Sequence, residues 1–188
     1  RFGPAETRMR VEPHPHIGLS TLTYLFEGEI LHHDNTGANQ AIRPGEVNWM
    51  TAGSGIVHSE RTDPLKKAKG GPMHGMQAWI ALPDEAEETN PSFHHFGEDA
   101  QPAYDDKGLF ARLVAGEAYG AKAAAPTHSP LFYLHWELAE GVRTAPPPGR
   151  SFRKSGDGYS ERALYVPKGR IEVGDRVFEA GQMAVLEP

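Results

Sequence analysis

The sequence predicts an all-β fold in which short antiparallel strands form two small barrels packed together. Three observations support this fold class. Short runs alternate apolar with polar residues and are rich in β-branched and aromatic side chains, which is typical of strands with one buried face. Turns rich in glycine and proline, of which the chain has 21 and 16, separate these runs at nearly even spacing. The later half of the chain repeats this rhythm.

Composition narrows the classes of function. The chain has no cysteine, which excludes disulfides, zinc–thiolate sites and thiol catalysis. The net charge of −6 argues against a nucleic-acid surface, and no apolar run reaches the roughly 20 residues that cross a bilayer. We therefore expect a cytoplasmic protein, present in the nucleus as well if eukaryotic, with no direct nucleic-acid or membrane partner. Because the chain begins at Arg1 and stops after a strand-like run at 183–186, we expect a fragment of a longer protein.

The first half of the chain has the clearest strand patterns. In the run 20–26, Thr21 and Thr23 alternate with Leu22 and Tyr24, as on a strand with two different faces. Turn clusters rich in glycine, asparagine and proline bound the runs that follow. The other strands predicted in this half are 29–33, 47–50, 56–61 and 74–82.

The second half predicts further strands but no His-x-His motif. Its segment 179–182 (EAGQ) echoes 43–46 (RPGE) in the first half, which indicates two related barrels, of which only the first keeps metal ligands. We assign residues 1–105 to a metal-binding domain and 106–188 to a degenerate second domain. We expect exposed loops at 62–72 and 144–158. The predicted strands are 109–115, 131–138, 163–166, 170–173, 176–178 and 183–186.

Two short motifs predict a metal site. His14 and His16 stand two residues apart, and so do His58 and Glu60. Residues at i and i+2 of a strand share one face, so two such strands side by side aim three imidazoles and a carboxylate at one point. These ligands suit iron, manganese, cobalt, nickel, copper or zinc. Four ligands leave two positions of an octahedral ion open for a substrate or dioxygen, which a closed structural site would not do.

Other candidate residues have ordinary explanations. His32 and His33 lie on a return strand, and one of them could line the pocket, although a surface or hydrogen-bonded histidine is the default. Asp34 is expected to form a turn, with contact to a ligating histidine as the alternative. Trp49 and Met50 are expected in the core or the pocket wall.

Several segments resemble the pirin family of the cupin superfamily. The segments that carry the resemblance are 14–18 (HPHIG), 23–28 (TYLFEG), 44–53 (PGEVNWMTAG) and 55–60 (GIVHSE). Cupins in general place a glutamate shortly after His-x-His, where this chain has Ser20 and Thr21; pirins share that absence and use the position of Glu60 instead. The resemblance implies a bicupin fold, Fe(II) or Fe(III) as the metal, and His14, His16, His58 and Glu60 as its ligands.

Three functions from different classes remain open. The resemblance implies a quercetin 2,3-dioxygenase type of enzyme, which opens a flavonol ring with dioxygen while Glu60 stays bound or acts as a general base. The second is a non-enzymatic regulator, in which the redox state of iron alters a surface that binds a transcription factor or a metabolic enzyme. The third is a cupin with another reaction, such as an isomerase, which would need further acid–base groups facing the metal.

Overall fold

The computed structural model describes residues 9–62, 72–149 and 159–187, and their regular structure is almost entirely β. Two single-turn 3-10 helices, Asp84–Ala86 and Glu98–Ala100, interrupt the strands. This confirms the predicted all-β class. The described strands are β1 (Arg10–His16), β2 (Leu19–Glu27), β3 (Ile30–Asp34), β4 (Asn39–Ile42), β5 (Val47–Thr51), β6 (Ile56–Arg61), β7 (His74–Ala81), β8 (Ser92–Phe96), β9 (Ala103–Asp106), β10 (Leu109–Ala118), β11 (Ala121–Lys122), β12 (Phe132–Leu138), β13 (Arg162–Tyr165), β14 (Arg170–Val173), β15 (Arg176–Glu179) and β16 (Met183–Leu186).

Every run that the sequence predicts as a strand is a strand, with ends moved by a few residues at most. The sequence analysis missed strands whose local pattern is weak. β1 contains two prolines and begins four residues before its first histidine, β4 is short and half polar, and β8 carries two adjacent histidines. The predicted loops at 62–72 and 144–158 lie largely outside the described residues.

Two four-stranded antiparallel sheets face each other in the first part of the chain. One has the strand order β1-β6-β3-β4 and is called the histidine sheet below; the other has the order β7-β2-β5-β8 and is called the core sheet. Phe93 of the core sheet stacks on His32 of the histidine sheet, with ring centroids 4.3 Å apart. Gln77 of the core sheet donates a hydrogen bond to Glu60 of the histidine sheet. The space between the two sheets therefore contains the candidate ligands.

The opposite face of the core sheet carries the main hydrophobic core. Leu22, Tyr24 and Trp49 pack there against Val114 and Ala115 of β10, which forms a third sheet with β9, β11 and β12. Burying a large side chain of this kind stabilises the fold by about 1.5–3 kcal/mol. Side chains alternate along a strand, so β2 and β5 contribute one set of residues to the core. The other set points toward the histidine sheet. Trp49 lies in the core, as the sequence predicts.

The chain divides into two compact units, residues 1–142 and 143–188. The strands β9–β12 belong to the first unit, because Val114 and Ala115 share a hydrophobic cluster with residues of β2 and β5. This division into compact units lies at a different position from the predicted domain boundary between residues 105 and 106. The assignment of domains 1–105 and 106–188 stays a prediction. In the second unit, β13 pairs with β16 and β14 with β15 around Val166, Phe178 and Ala184.

The sequence echo between 43–46 and 179–182 corresponds to two turns with the same geometry. In each, the backbone N–H of the fourth residue donates to the carbonyl oxygen of the first. The N–H of Arg43 in turn donates to the Glu46 carboxylate, and that of Glu179 donates to the Gln182 amide oxygen, both at 2.7 Å. The third residue is a glycine with φ of 82° in one turn and 88° in the other. Both halves of the chain therefore use the same hydrogen-bonded corner.

The described helices are too short and too polar to include one that could pass through a membrane.

Replacing Gly53 by alanine is expected to destabilise the protein far more than the same change at Gly18. Both glycines have left-handed φ, 52° and 64°, so each variant is strained by about 1–2 kcal/mol. A Cβ at Gly53 would stand 1.9 Å from the carbonyl oxygen of Thr89, whereas at Gly18 nothing lies within 4 Å. We expect the clash to cost about 1–3 kcal/mol more at Gly53, measured by urea denaturation. Equal losses in the two variants would contradict this packing.

Candidate metal centre

The register of three strands gathers the candidate ligands on one face of the histidine sheet. β6 lies between β1 and β3, with His14 directly opposite His58 and His32 directly opposite Glu60. His16 lies two residues beyond His14 and so points to the same face. A bulge in β1 between Val11 and His14 sets this register. The two predicted i, i+2 pairs therefore lie on neighbouring strands, as the sequence analysis expects.

Three imidazoles form one tight group. One ring nitrogen from each of His14, His16 and His58 lies within 4.8 Å of the others, and the ring centroids are 4.4–5.0 Å apart. The Nε2 atoms of His16 and His58 are buried and have no hydrogen-bond partner among the described residues. A buried nitrogen without a partner costs about 1–3 kcal/mol, so the group is suited to a species that takes imidazole lone pairs. A divalent metal ion fits this requirement.

His14 is oriented so that its Nε2 is available to an ion. Its Nδ1 lies 2.9 Å from the carbonyl oxygen of Glu12, and because a carbonyl only accepts, Nδ1 is the donor. The neutral ring then carries its lone pair on Nε2. Metal-binding histidines commonly have this arrangement, in which the other ring nitrogen donates to a carbonyl or carboxylate oxygen.

Glu60 belongs to a second, overlapping group. Its carboxylate, His32 and His58 lie within 4.8 Å of one another, but the four predicted ligands do not all fall within that distance. Gln77 Nε2 donates to Glu60 Oε1 at 2.6 Å and contacts Thr23 Oγ1 at 3.1 Å, which draws the carboxylate toward the core sheet. This hydrogen bond fixes the position of Oε1 of Glu60. Glu60 as the fourth ligand stays a prediction.

Two buried neighbours of the site, His32 and Asp34, make the contacts that the sequence analysis gave only as alternatives. His32 Nε2 lies 2.9 Å from Asp34 Oδ2, and His32 Nδ1 lies 3.5 Å from His58 Nδ1. Asp34 also forms the expected turn, because its Oδ1 accepts from the N–H groups of Thr36 and Ala38. The signal was present in the sequence as a third i, i+2 pair, but only the register of β3 against β6 makes it meaningful.

The three buried histidines of the site, His16, His32 and His58, have a lowered pKa and are neutral near pH 7. Burial, and then the neighbouring histidines, lower the pKa of His58 to about 3. Burial also lowers the pKa of His16, and it lowers that of His32 despite the opposing effect of Asp34. Neutral imidazole is the form that binds a metal.

The pKa values of the two carboxyl groups, Glu60 and Asp34, shift in opposite directions. Burial raises the pKa of Glu60, against the smaller effects of the Gln77 hydrogen bond and of His14. Burial would also raise the pKa of Asp34, but the hydrogen bonds from Thr36, His32 and Ala38 outweigh it and lower that pKa. Asp34 is therefore the fixed anion beside the site, while Glu60 is the carboxylate that can exchange a proton.

Aromatic and apolar side chains surround the imidazoles. The Trp79 indole lies edge-on to His16, with ring centroids 5.0 Å apart, and 64% of Trp79 is exposed to solvent. On the other side, Phe93 stacks on His32 and packs in a buried cluster with Met50 and Ile56. The site thus has one closed apolar side and one open side with an aromatic ring.

A cavity of about 450 Å³ lies elsewhere, on the opposite face of the core sheet. Tyr24, Phe110 and the buried Arg112 line it, and none of the candidate metal ligands does. Arg112 donates to the Tyr24 hydroxyl and pairs with Glu98, and His135 Nδ1 lies 3.0 Å from the same hydroxyl. These polar groups mainly tie the third sheet to the core sheet.

Two facing antiparallel sheets with histidines and a glutamate between them define a cupin. Residues 2–80 match the family model of pirin. A pirin-like protein of Caulobacter vibrioides is 58% identical over 179 residues, which cover 95% of this chain and 59% of the relative. On these similarities the chain belongs to the pirin family.

Solved structures agree with this assignment. A quercetin 2,3-dioxygenase from Acinetobacter baumannii matches with a TM-score of 0.84 and 34% identity, over 98% of this chain and 57% of that one. The bacterial pirin YhhW from Escherichia coli, in complex with nickel(II), shares the fold with a TM-score of 0.64 at 21% identity, over 95% and 67%. The predicted bicupin class is confirmed, although the described strands form separate sheets and no closed barrel. The chain spans little more than half the length of the curated relative and of the Acinetobacter protein.

The metal-free protein is expected to lose stability as the pH falls from about 6.5 toward 3. In that window the unfolded state binds a proton at His58 and the folded state does not, because the folded pKa is about 3. Each such proton contributes up to about 1.4 kcal/mol per pH unit to the slope of the unfolding free energy. Urea denaturation between pH 4 and 7 should show a smaller slope for His58→Asn, and an unchanged slope in that variant would contradict the assignment. His33→Asn, on the opposite face of β3, is the control.

Proposed function

We propose that this protein is a metal-dependent dioxygenase of the quercetin 2,3-dioxygenase type, with iron as its metal and a flavonol-like aromatic substrate. His14, His16, His58 and Glu60 would hold the ion. The observation that carries the proposal is the pair of buried Nε2 atoms on His16 and His58 that have no partner among the described residues. The similarity to the Acinetobacter enzyme supports the reaction type.

The residues of the site have separate tasks in this reaction. When bound, the metal supplies a Lewis acid that lowers the pKa of a coordinated hydroxyl and offers a position for dioxygen. The three histidines supply neutral nitrogen ligands. Glu60 keeps Oε1 on Gln77, and its Oε2 would either complete the ligand set or accept the proton of a flavonol hydroxyl.

Trp79 is the residue best placed to hold a flat substrate. Its indole lies next to His16 and is mostly exposed, and Ile17, 71% exposed, follows His16 in the chain. Aromatic rings pair with a free energy of about 0.5–1.5 kcal/mol beyond the area they bury. On the closed side, Phe93 and Met50 exclude water from the ligands.

A second candidate function is a non-enzymatic regulator whose iron state alters the binding of a protein partner. The observation in its favour is the exposure of Trp79 and Ile17 beside the site, because exposed apolar groups on a soluble surface often mark an interaction site. Its partner would be a transcription factor or a metabolic enzyme. A cytoplasmic location is compatible with both candidates and stays a prediction.

Elemental analysis of the purified protein, followed by quercetin consumption under oxygen, tests the proposal. We expect about one iron per chain and turnover of quercetin, both lost in His58→Ala because the central imidazole of the group is removed. His33→Ala should keep both, since its side chain points away from the site. Bound iron without turnover would favour the regulator. A wild-type protein without metal would refute both functions.

Replacing Trp79 by alanine is expected to weaken substrate binding without loss of metal. Loss of one stacking interaction of about 0.5–1.5 kcal/mol raises KM for quercetin by roughly 2–10-fold. Trp79→Phe should recover most of the loss, since it restores an aromatic face. Steady-state kinetics at equal metal content measure the effect. An unchanged KM in the alanine variant would place the substrate elsewhere.

A further inference from the structure

We infer that His32 and Asp34 are positioning residues that fix the tautomer of His58, so that its Nε2 carries the lone pair required by a metal ion. The inference rests on the proposed metal site. It assigns these two residues a task outside the ligand set, and it follows from the donors and acceptors of one buried chain of side chains.

The series of side-chain contacts starts at Asp34, whose two carboxylate oxygens have different partners. Oδ1 accepts three hydrogen bonds from the following turn: from the Thr36 N–H at 2.9 Å, the Thr36 hydroxyl at 2.7 Å and the Ala38 N–H at 3.1 Å. Oδ2 is thereby directed at His32 Nε2, 2.9 Å away. A carboxylate can only accept, so the hydrogen of this bond belongs to Nε2 of His32.

The tautomer of His32 in turn determines the tautomer of His58. A neutral imidazole with its hydrogen on Nε2 has its lone pair on Nδ1. In His32 this lone pair faces His58 Nδ1 at 3.5 Å, and both side chains are buried. Two lone pairs in that position would repel each other, whereas a hydrogen on Nδ1 of His58 gives an attractive contact. His58 therefore has its lone pair on Nε2, a buried atom that has no hydrogen-bond partner among the described residues.

Packing holds His32 in this position. Its ring stacks on Phe93 at 4.3 Å and with an interplanar angle of 19°. The side chains of His32 and Asp34 are 4% and 0% exposed, so water cannot readily replace either partner. The register of β3 against β6 also fixes the backbone of both residues, because it places Asp34 opposite His58 and His32 opposite Glu60.

The competing possibility is that His32 is itself a ligand, together with His58 and Glu60. For that, His32 would use Nδ1, because Nε2 is occupied by Asp34. It would then give up its contact with His58 Nδ1. The two assignments predict different effects of replacing His32 on the number of coordinated imidazoles, so a measurement of that number separates them.

The direct test is nitrogen-15 NMR of the histidine rings in the metal-free protein. We expect hydrogen on Nε2 for His32 and on Nδ1 for His58. In Asp34→Asn the turn still requires an oxygen acceptor, so the amide NH₂ faces His32, and His32 must accept through Nε2. The His32 hydrogen then moves to Nδ1, and His58 shifts toward the form with hydrogen on Nε2. Hydrogen on Nε2 of His58 in the wild type would overturn the inference.

The second test is nickel(II) binding measured by calorimetry. Changes in groups that orient a metal ligand typically lower affinity by about 10–100-fold, and we expect a loss in that range for Asp34→Asn. The control His33→Asn, on the other face of β3, should bind nickel as the wild type does. Unchanged affinity in Asp34→Asn would also overturn the inference.

X-ray absorption of the nickel-loaded protein separates positioning from ligation. The number of coordinated imidazoles should be the same in His32→Gln as in the wild type, and one imidazole fewer would show that His32 is a ligand. The tautomer assignment and the proposed function can fail independently of each other. A wild type that binds no nickel, yet has His58 in the expected tautomer, would refute the proposed metal enzyme and leave the tautomer assignment standing.

Discussion

The pairing of β1 with β6 is the constraint on which the rest of the site depends. It brings His14 opposite His58, and the alternation of side chains then carries His16 and Glu60 to the same face. A slip of one residue in this register would turn either pair toward the other face of the sheet. The bulge between Val11 and His14 allows β1 to keep its pairing on both sides of the irregularity. The candidate ligands are thus positioned by the backbone pairing of β1 with β6, and side-chain contacts adjust their orientation.

In the core sheet, the two faces of one strand have different tasks: one face packs in the hydrophobic core, and the other contacts the candidate site. On β2, Leu22 and Tyr24 enter the hydrophobic core, while Thr23, on the other face, contacts the Gln77 amide that holds Glu60. The core face is packed against a third sheet and cannot move without loss of buried area. The face toward the histidine sheet is held equally firmly, because its side chains extend from the same backbone. A site that must hold several ligands at fixed separations benefits from such a support.

The sequence predicts the strands with a clear alternating pattern and the two i, i+2 pairs, but not the side chains that contact those pairs. His14-x-His16 and His58-x-Glu60 could be recognised because an i, i+2 spacing has one meaning on a strand. The contacts of His32 with His58 and of Gln77 with Glu60 depend on which strands are neighbours and in what register, and no local pattern encodes that. The packing of Val114 of β10 against residues of β2 is likewise a long-range contact, which a local pattern does not encode.

The hydrogen bonds around Gln77 connect two parts of the site that have different partners. Trp79 Nε1 donates to Gln77 Oε1 at 3.4 Å, and the amide nitrogen of the same residue holds Glu60. A molecule that rests on the indole therefore acts on the group that orients the carboxylate. Coupling of this kind is reciprocal: if the ion changes how tightly an aromatic ligand is held, the ligand must change the affinity for the ion by the same factor. Gln77 thus links the exposed indole of Trp79 to the buried carboxylate of Glu60 through a single side chain.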